Sequence, residues 1–141
     1  MRKTFFGGGK ERVAAAPVAD GGLNFMEAIE AHVRWKVRLE AYINGTATER
    51  LDANVVCQDD KCVLGKWIHG VGGLKYGEHP RFPTLREIHK EFHRCAGDVI
   101  RFADQDDAAS ALALLNRGDY ARYSHQIKAQ LARLSLELSS D

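Results

Sequence analysis

The chain has 141 residues, 45% of them hydrophobic, which fits one folded domain and a tail. Its 20 lysine and arginine residues nearly balance its 19 acidic residues, so the overall charge does not indicate a nucleic-acid partner. Three cysteines cannot all pair within one chain, which argues against a secreted disulfide framework. We see neither a signal peptide nor an apolar run that would span a membrane, and therefore expect a cytoplasmic protein with free thiols.

The N-terminal segment differs in composition from the rest of the chain. Residues 1–22 are rich in glycine and alanine and predict a flexible tail, followed by a helical domain over residues 23–139. Asn24 is a favourable N-cap for the first helix, and Glu27 completes a capping-box pattern. Apolar residues then recur at helical spacing as far as Asn44-Gly45, a typical helix C-terminus.

A short second helix is predicted after a loop that runs through Val56. Asp59 or Asp60 could cap it, and its apolar side consists of Val63, Leu64, Trp67 and Ile68. Gly65 lies inside this helix, where it costs about 1 kcal/mol relative to alanine and so indicates close packing on a neighbour. Residues 71–83 contain several glycines and prolines and predict a loop.

Three further helical segments complete the predicted fold. The third helix opens with a second capping-box pattern, Thr84 and Glu87, and runs to about Ala103. A fourth spans about 106–116, and Asp119 caps a last helix. Because no alternating strand pattern is present, we predict an all-α fold, an antiparallel four-helix bundle with one short extra helix.

His89 and His93 are candidate metal ligands in the third helix. Their spacing of four places both rings on one helix face, beside the apolar residues Leu85, Phe92 and Ala96. The alternative is a pair of hydrogen-bonded histidines at a helix interface. A zinc-protease motif would need glutamate directly after the first histidine, whereas Glu91 stands two positions on and faces away.

His32 and Cys62 complete a possible ligand set. His32 falls in the apolar stripe of the first helix, where a core histidine bonded to a carbonyl is the alternative. Cys62 stands at the start of the second helix, a position that favours thiolate. Together His32, Cys62, His89 and His93 predict a tetrahedral Zn²⁺ site of three histidines and one cysteine. Glu27, Glu87 or a backbone carbonyl could orient the imidazoles.

Three pieces of this sequence resemble the chemoreceptor zinc-binding domain family, CZB. The histidine and cysteine positions are separated by 30, 27 and 4 residues, and the resemblance covers roughly residues 24–138. Its most specific part is the cysteine-x-leucine-glycine-x-tryptophan run. The matching pieces are His32-Val33-Arg34-Trp35, Cys62-Val63-Leu64-Gly65-Lys66-Trp67 and His89-Lys90-Glu91-Phe92-His93.

The resemblance implies a zinc-binding helical bundle, commonly a homodimer, that senses zinc and in some members oxidants. It assigns the ligand role to His32, Cys62, His89 and His93. The family occurs in bacterial chemoreceptors and diguanylate cyclases, which are the implied signalling partners. This sequence contains neither a chemoreceptor signalling hairpin nor a cyclase domain, so we expect a stand-alone module.

Other functions remain open at this stage. The same four ligands could form a structural zinc site in a dimerisation or interaction module. A zinc hydrolase needs an open coordination position, which four protein ligands do not leave, so we expect no enzyme activity. A di-iron, hemerythrin-like bundle is disfavoured because Arg86 and Lys90 stand three positions before His89 and His93, where glutamates would be required.

Overall fold

The computed structural model describes residues 22–139 as an assembly of α-helices, without a β-strand in that range. The all-α prediction is confirmed. The predicted tail, residues 1–22, lies outside the described residues apart from Gly22. The helices are α1 (Phe25–Asn44), α2 (Ala53–Val56), α3 (Val63–Ile68), α4 (Val71–Tyr76), α5 (Phe82–Asp104), α6 (Ala108–Arg117) and α7 (Asp119–Ser139).

The bundle consists of the four longer helices, α1, α5, α6 and α7, each of which contacts the other three. Their apolar faces form one core, and α2 packs on α5 and contributes Ala53 to that core. Three short helices accompany the bundle instead of the single one that we predicted. The most deeply buried core residues include Phe25 and Leu39 of α1, Phe92 and Val99 of α5, Leu115 of α6, and Ile127 and Leu131 of α7.

Helix α1 begins and ends where the sequence predicts. The side chain of Asn24 accepts a hydrogen bond from the backbone N–H of Glu27 at 3.0 Å. Gly45 has a φ of 78°, the left-handed conformation that glycine adopts at little cost, and its N–H donates to the last carbonyls of the helix. These two caps fix the length of α1, which carries His32 near its middle.

The predicted loops contain two helices that periodicity could not reveal. Helix α2 has only four residues, and Asp52 caps it by accepting from the N–H of Asn54 at 2.9 Å. Helix α4 contains two glycines and has low intrinsic propensity. Packing between segments accounts for the glycine at position 72, because a Cβ added there would overlap the indole ring of Trp67.

Several predicted helix starts were wrong. Cys62, and not Asp59 or Asp60, is the N-cap of α3. Helix α5 starts at Phe82 without a side-chain cap, so the Thr84–Glu87 capping box is not its start. In the last two helices the deviations are one or two residues, which is the ordinary uncertainty of such boundaries. No helix in the described part of the chain has the length and apolar character required to cross a membrane.

Candidate metal centre

Four side chains from three helical segments meet at one point inside the bundle. Each of His32, Cys62, His89 and His93 offers one donor atom, and these atoms lie within 4.8 Å of one another. The three histidines are buried, and Cys62 is partly exposed. The predicted ligand set is therefore brought together, and we call it the four-donor cluster.

The distances within the cluster fit a tetrahedral ion. The Sγ atom of Cys62 lies 3.3 Å from Nε2 of His89 and 3.6 Å from Nε2 of His93, and the two Nε2 atoms are 3.1 Å apart. Around zinc, with Zn–N near 2.05 Å and Zn–S near 2.3 Å, tetrahedral geometry places nitrogen pairs about 3.3 Å apart and nitrogen–sulfur pairs about 3.6 Å apart. These three donors thus stand close to where such an ion requires them, and the donor atom of His32 lies within 4.8 Å of each.

Backbone carbonyls orient two of the imidazoles. The Nδ1 atom of His32 lies 2.7 Å from the carbonyl oxygen of Ala28, and the Nδ1 atom of His93 lies 2.9 Å from that of Val56. Since a carbonyl can only accept, both rings carry their proton on Nδ1 and present a lone pair on Nε2 to the cluster. Of the orienting groups considered from sequence, the backbone carbonyl is the one found.

Burial keeps all three imidazoles neutral. The pKa of His32 is lowered to about 4 and that of His89 to about 2, in both cases chiefly by burial and also by neighbouring imidazoles. The pKa of His93 is also lowered, chiefly by burial. Neutral imidazole is the form that binds metal, so the rings are ready for an ion near pH 7.

The environment of Cys62 differs from the sequence expectation. Its sulfur accepts a hydrogen bond from the N–H of Gly65 at 3.3 Å at the start of α3, an arrangement that favours thiolate. Burial nevertheless raises the pKa of the thiol and outweighs these backbone hydrogen bonds, and the charge of Asp59 raises it further. Without a metal, therefore, the neutral thiol is favoured.

A cavity of about 380 Å³ connects the cluster to the surface, and Cys62 and His93 line it. Trp35 forms another part of its wall. The guanidinium of Arg38 lies 3.9 Å from the ring centroid of Trp35 and donates to both carboxylate oxygens of Glu49. Because this cavity opens to the surface, small molecules and ions have a route to the sulfur of Cys62.

Sequence reasoning missed Asp59 as a residue of the site. Its Oδ2 atom lies 4.0 Å from Nδ1 of the buried His89 and 2.8 Å from Nε2 of the exposed His69. We had considered Asp59 only as a helix cap. The available signal was its position three residues before Cys62, which places it in the same turn of chain.

The structure is a helical bundle with a cluster of four donors that could hold a metal ion, and comparison with known proteins gives a family match. Residues 32–100, just under half of the chain, match the family model described as the chemoreceptor zinc-binding domain, CZB. These residues contain all four donors, and the predicted resemblance to that family is confirmed. No curated protein and no solved structure gives a significant match. Family and cluster together support a zinc-binding signalling domain.

Proposed function

We propose that the chain is a sensory or regulatory domain of bacterial signalling in which His32, Cys62, His89 and His93 bind one Zn²⁺. The observation that carries this proposal is the convergence of three buried imidazoles and one thiol within 4.8 Å. Three neutral nitrogens and a sulfur are a preferred donor set for zinc, whereas magnesium and calcium prefer oxygen. Iron of the di-iron type would require bridging carboxylates, and no carboxylate is part of the cluster in the described residues.

The donor number favours binding over catalysis. Catalytic zinc usually has three protein ligands and a water, whereas a set of four protein ligands closes the coordination shell. Hydrolysis would become possible only if Cys62 left the metal. The cavity beside Cys62 favours a regulatory site over a purely structural one, because it gives chelators and oxidants access to one ligand of a folded protein.

The cluster can couple metal occupancy to the conformation of the bundle. His32 belongs to α1, Cys62 caps α3, and the other two donors belong to α5, so binding ties three segments together. A bound ion would satisfy Nε2 of His32, which is a buried acceptor without a hydrogen-bond partner in the described part of the chain. Such a group destabilises the closed arrangement, and we infer that metal loss loosens α1 and α3 from α5.

A homodimer and a signalling partner belong to the same proposal. Met26, Val33 and Val37 are exposed apolar side chains at helical spacing on α1, which supports a contact surface there. The family occurs in chemoreceptors and diguanylate cyclases, and a pathway of one of these kinds is the partner that we propose. Cys62 is the ligand that we expect to be labile, because it is the only readily oxidised donor.

Elemental analysis tests the ligand set directly. Purified wild-type protein is expected to contain about one zinc per chain, and alanine variants of each donor are expected to lose most of it, since each removes one of four bonds. Cys57→Ala is the matched control, because Cys57 lies outside the cluster. Wild-type protein without zinc, or full zinc in the four variants, would contradict the proposal.

A regulatory site should release zinc to a chelator while the protein stays folded, whereas a structural site should release it only on unfolding.

Zinc binding near pH 7 is expected to release about one proton per chain, from the Cys62 thiol. The lowered pKa values of His32, His89 and His93 mean that the rings are already neutral, whereas the raised pKa of Cys62 means that the thiol still holds its proton. Affinity should therefore rise about tenfold per pH unit while the metal-free thiol is protonated. As the pH falls towards about 4, protonation of His32 lowers the zinc affinity further.

Calorimetric titration in buffers of different protonation enthalpy counts these protons. At pH 6, where a zinc-bound water with a pKa of about 7 keeps its proton, Cys62→Ala titrated at zinc concentrations that saturate it should release almost none. Release of two or more protons by the wild-type protein would show that a ring is charged before binding and would contradict the neutral cluster.

A further inference from the structure

His89 differs from the other two histidines of the cluster at its outer nitrogen. The Nδ1 atoms of His32 and His93 are hydrogen-bonded to carbonyl oxygens, at 2.7 and 2.9 Å. The Nδ1 atom of His89 is buried and has no hydrogen-bond partner among residues 22–139. A ring that binds a metal through Nε2 carries its proton on Nδ1, and a buried N–H needs an acceptor.

Asp59 is placed to supply that acceptor. Its Oδ2 atom lies 4.0 Å from Nδ1 of His89, about 1 Å beyond a normal hydrogen bond. The same oxygen lies 2.8 Å from Nε2 of His69, at the exposed C-terminus of α3. The backbone of Asp59 is also fixed, because its carbonyl oxygen occupies the space where a side chain on Gly65 would lie. The carboxylate is thus held beside the ring from two directions.

The charge of the site gives a second reason for a carboxylate there. A zinc ion bound by three neutral imidazoles and one thiolate leaves a net charge of about +1 in the bundle. An uncompensated buried charge is costly. The Asp59 side chain is 21% exposed, so its negative charge is only partly screened by water, and it would bring the local sum to about zero.

We propose that Asp59 is a positioning residue that accepts a hydrogen bond from the Nδ1–H of His89 when metal is bound, and that His69 holds its carboxylate in place. The inference rests on the proposed function, since it requires His89 to bind the metal through Nε2. A carboxylate behind a zinc-bound histidine fixes the tautomer and orientation of the ring and makes the ring a stronger ligand. In the metal-bound state the gap between the two atoms should close by about 1 Å.

Zinc affinity measured by competition with a chelator tests this role. Asp59→Ala is expected to weaken zinc binding by about 10- to 100-fold, the usual effect of removing such a partner. Asp59→Asn should lose less affinity, because an amide oxygen can still accept a hydrogen bond from Nδ1–H. This variant also tests the role if Asp59→Ala folds poorly. Asp60→Ala is the matched control: it removes the same charge from the next residue, which is exposed, and should leave the affinity unchanged.

Two further readouts separate positioning from general stability. In zinc-loaded, ¹⁵N-labelled protein the Nδ1–H resonance of His89 should have the downfield shift of a proton shared with a carboxylate, and Asp59→Ala should abolish that shift. His69→Ala should weaken zinc binding in the wild-type background and have no effect in the Asp59→Ala background. Equal affinities of Asp59→Ala and Asp60→Ala, with an unchanged His89 resonance, would overturn the inference while leaving zinc binding intact. Failure of the wild-type protein to bind zinc would instead overturn the proposed function.

Discussion

Mild oxidation is expected to release the zinc from the wild-type protein and from a Cys57→Ser/Cys95→Ser variant, whose sole remaining thiol is Cys62. Conversion of the Cys62 thiolate to a sulfenic acid weakens its bond to the metal. The reaction is accessible because Cys62 lines the cavity that opens to the surface, whereas Cys95 is buried. The three histidines are not oxidised under such conditions, so loss of one ligand accounts for the release.

The effect on stability should be large. A ligand present at about 1,000 times its dissociation constant stabilises the folded state by about 4 kcal/mol, all of which depends on binding. For a folded region of this size that corresponds to roughly 15 °C in melting temperature. Zinc release is measured with a chromogenic chelator, and the melting temperature by circular dichroism before and after the oxidant, then again after a thiol reductant and zinc.

The single-thiol variant makes the result specific to one cysteine. If the Cys57→Ser/Cys95→Ser variant retains its zinc while the wild-type protein loses it, one of the other two thiols is the reactive group. If Cys62→Ser still binds zinc and loses it to the oxidant as readily as the wild-type protein does, Cys62 is not the labile ligand. A return of the melting temperature after reduction is expected for a sensor, because a sulfenic acid is reversible.

The four-donor cluster could be predicted from the sequence because its residues have local signals. His89 and His93 are one helical turn apart on an apolar face, and His32 interrupts the apolar stripe of a well-capped helix. A polar ring on a buried face needs a polar partner. Three such rings in one small chain indicate that they share the same partner, a metal ion. These features depend on spacing along single helices, which periodicity describes well.

The surroundings of the cluster could not be predicted because they depend on packing between segments. Helix α2, whose carbonyl at Val56 orients His93, is four residues long and shows no periodicity. Asp59 lies near His89, thirty positions away in the chain, only because the turn before α3 packs against α5. The pKa of Cys62 was misjudged for the same reason: the helix terminus is visible in the sequence, whereas the burial that outweighs it is not.

Replacing Gly65 with alanine is expected to destabilise the protein by about 1 to 3 kcal/mol, as overpacking of a close contact does. A Cβ at this position would overlap the carbonyl oxygen of Asp59, would lie 2.7 Å from its carbonyl carbon and would lie 3.1 Å from Cα of Asp60. All three atoms belong to the backbone, so no side-chain rotation relieves the overlap. Helix propensity alone predicts the opposite sign, a gain of about 1 kcal/mol.

The substitution should weaken zinc binding as well as folding, because the missing side chain of Gly65 lets Asp59 lie against α3 beside His89. Alanine keeps the N–H that donates to the Cys62 sulfur, but displacement of the turn would move this end of α3 and the sulfur with it. Urea unfolding in the presence of a chelator gives the change in folding free energy, and chelator competition gives the change in zinc affinity. Lys66→Ala is the control, an exposed neighbour in the same helix, and should change neither quantity appreciably. A Gly65→Ala protein as stable as the wild type would mean that the turn over residues 59–60 can move away freely. In that case the glycine of the cysteine-x-leucine-glycine-x-tryptophan run would not be what positions Cys62 and Asp59.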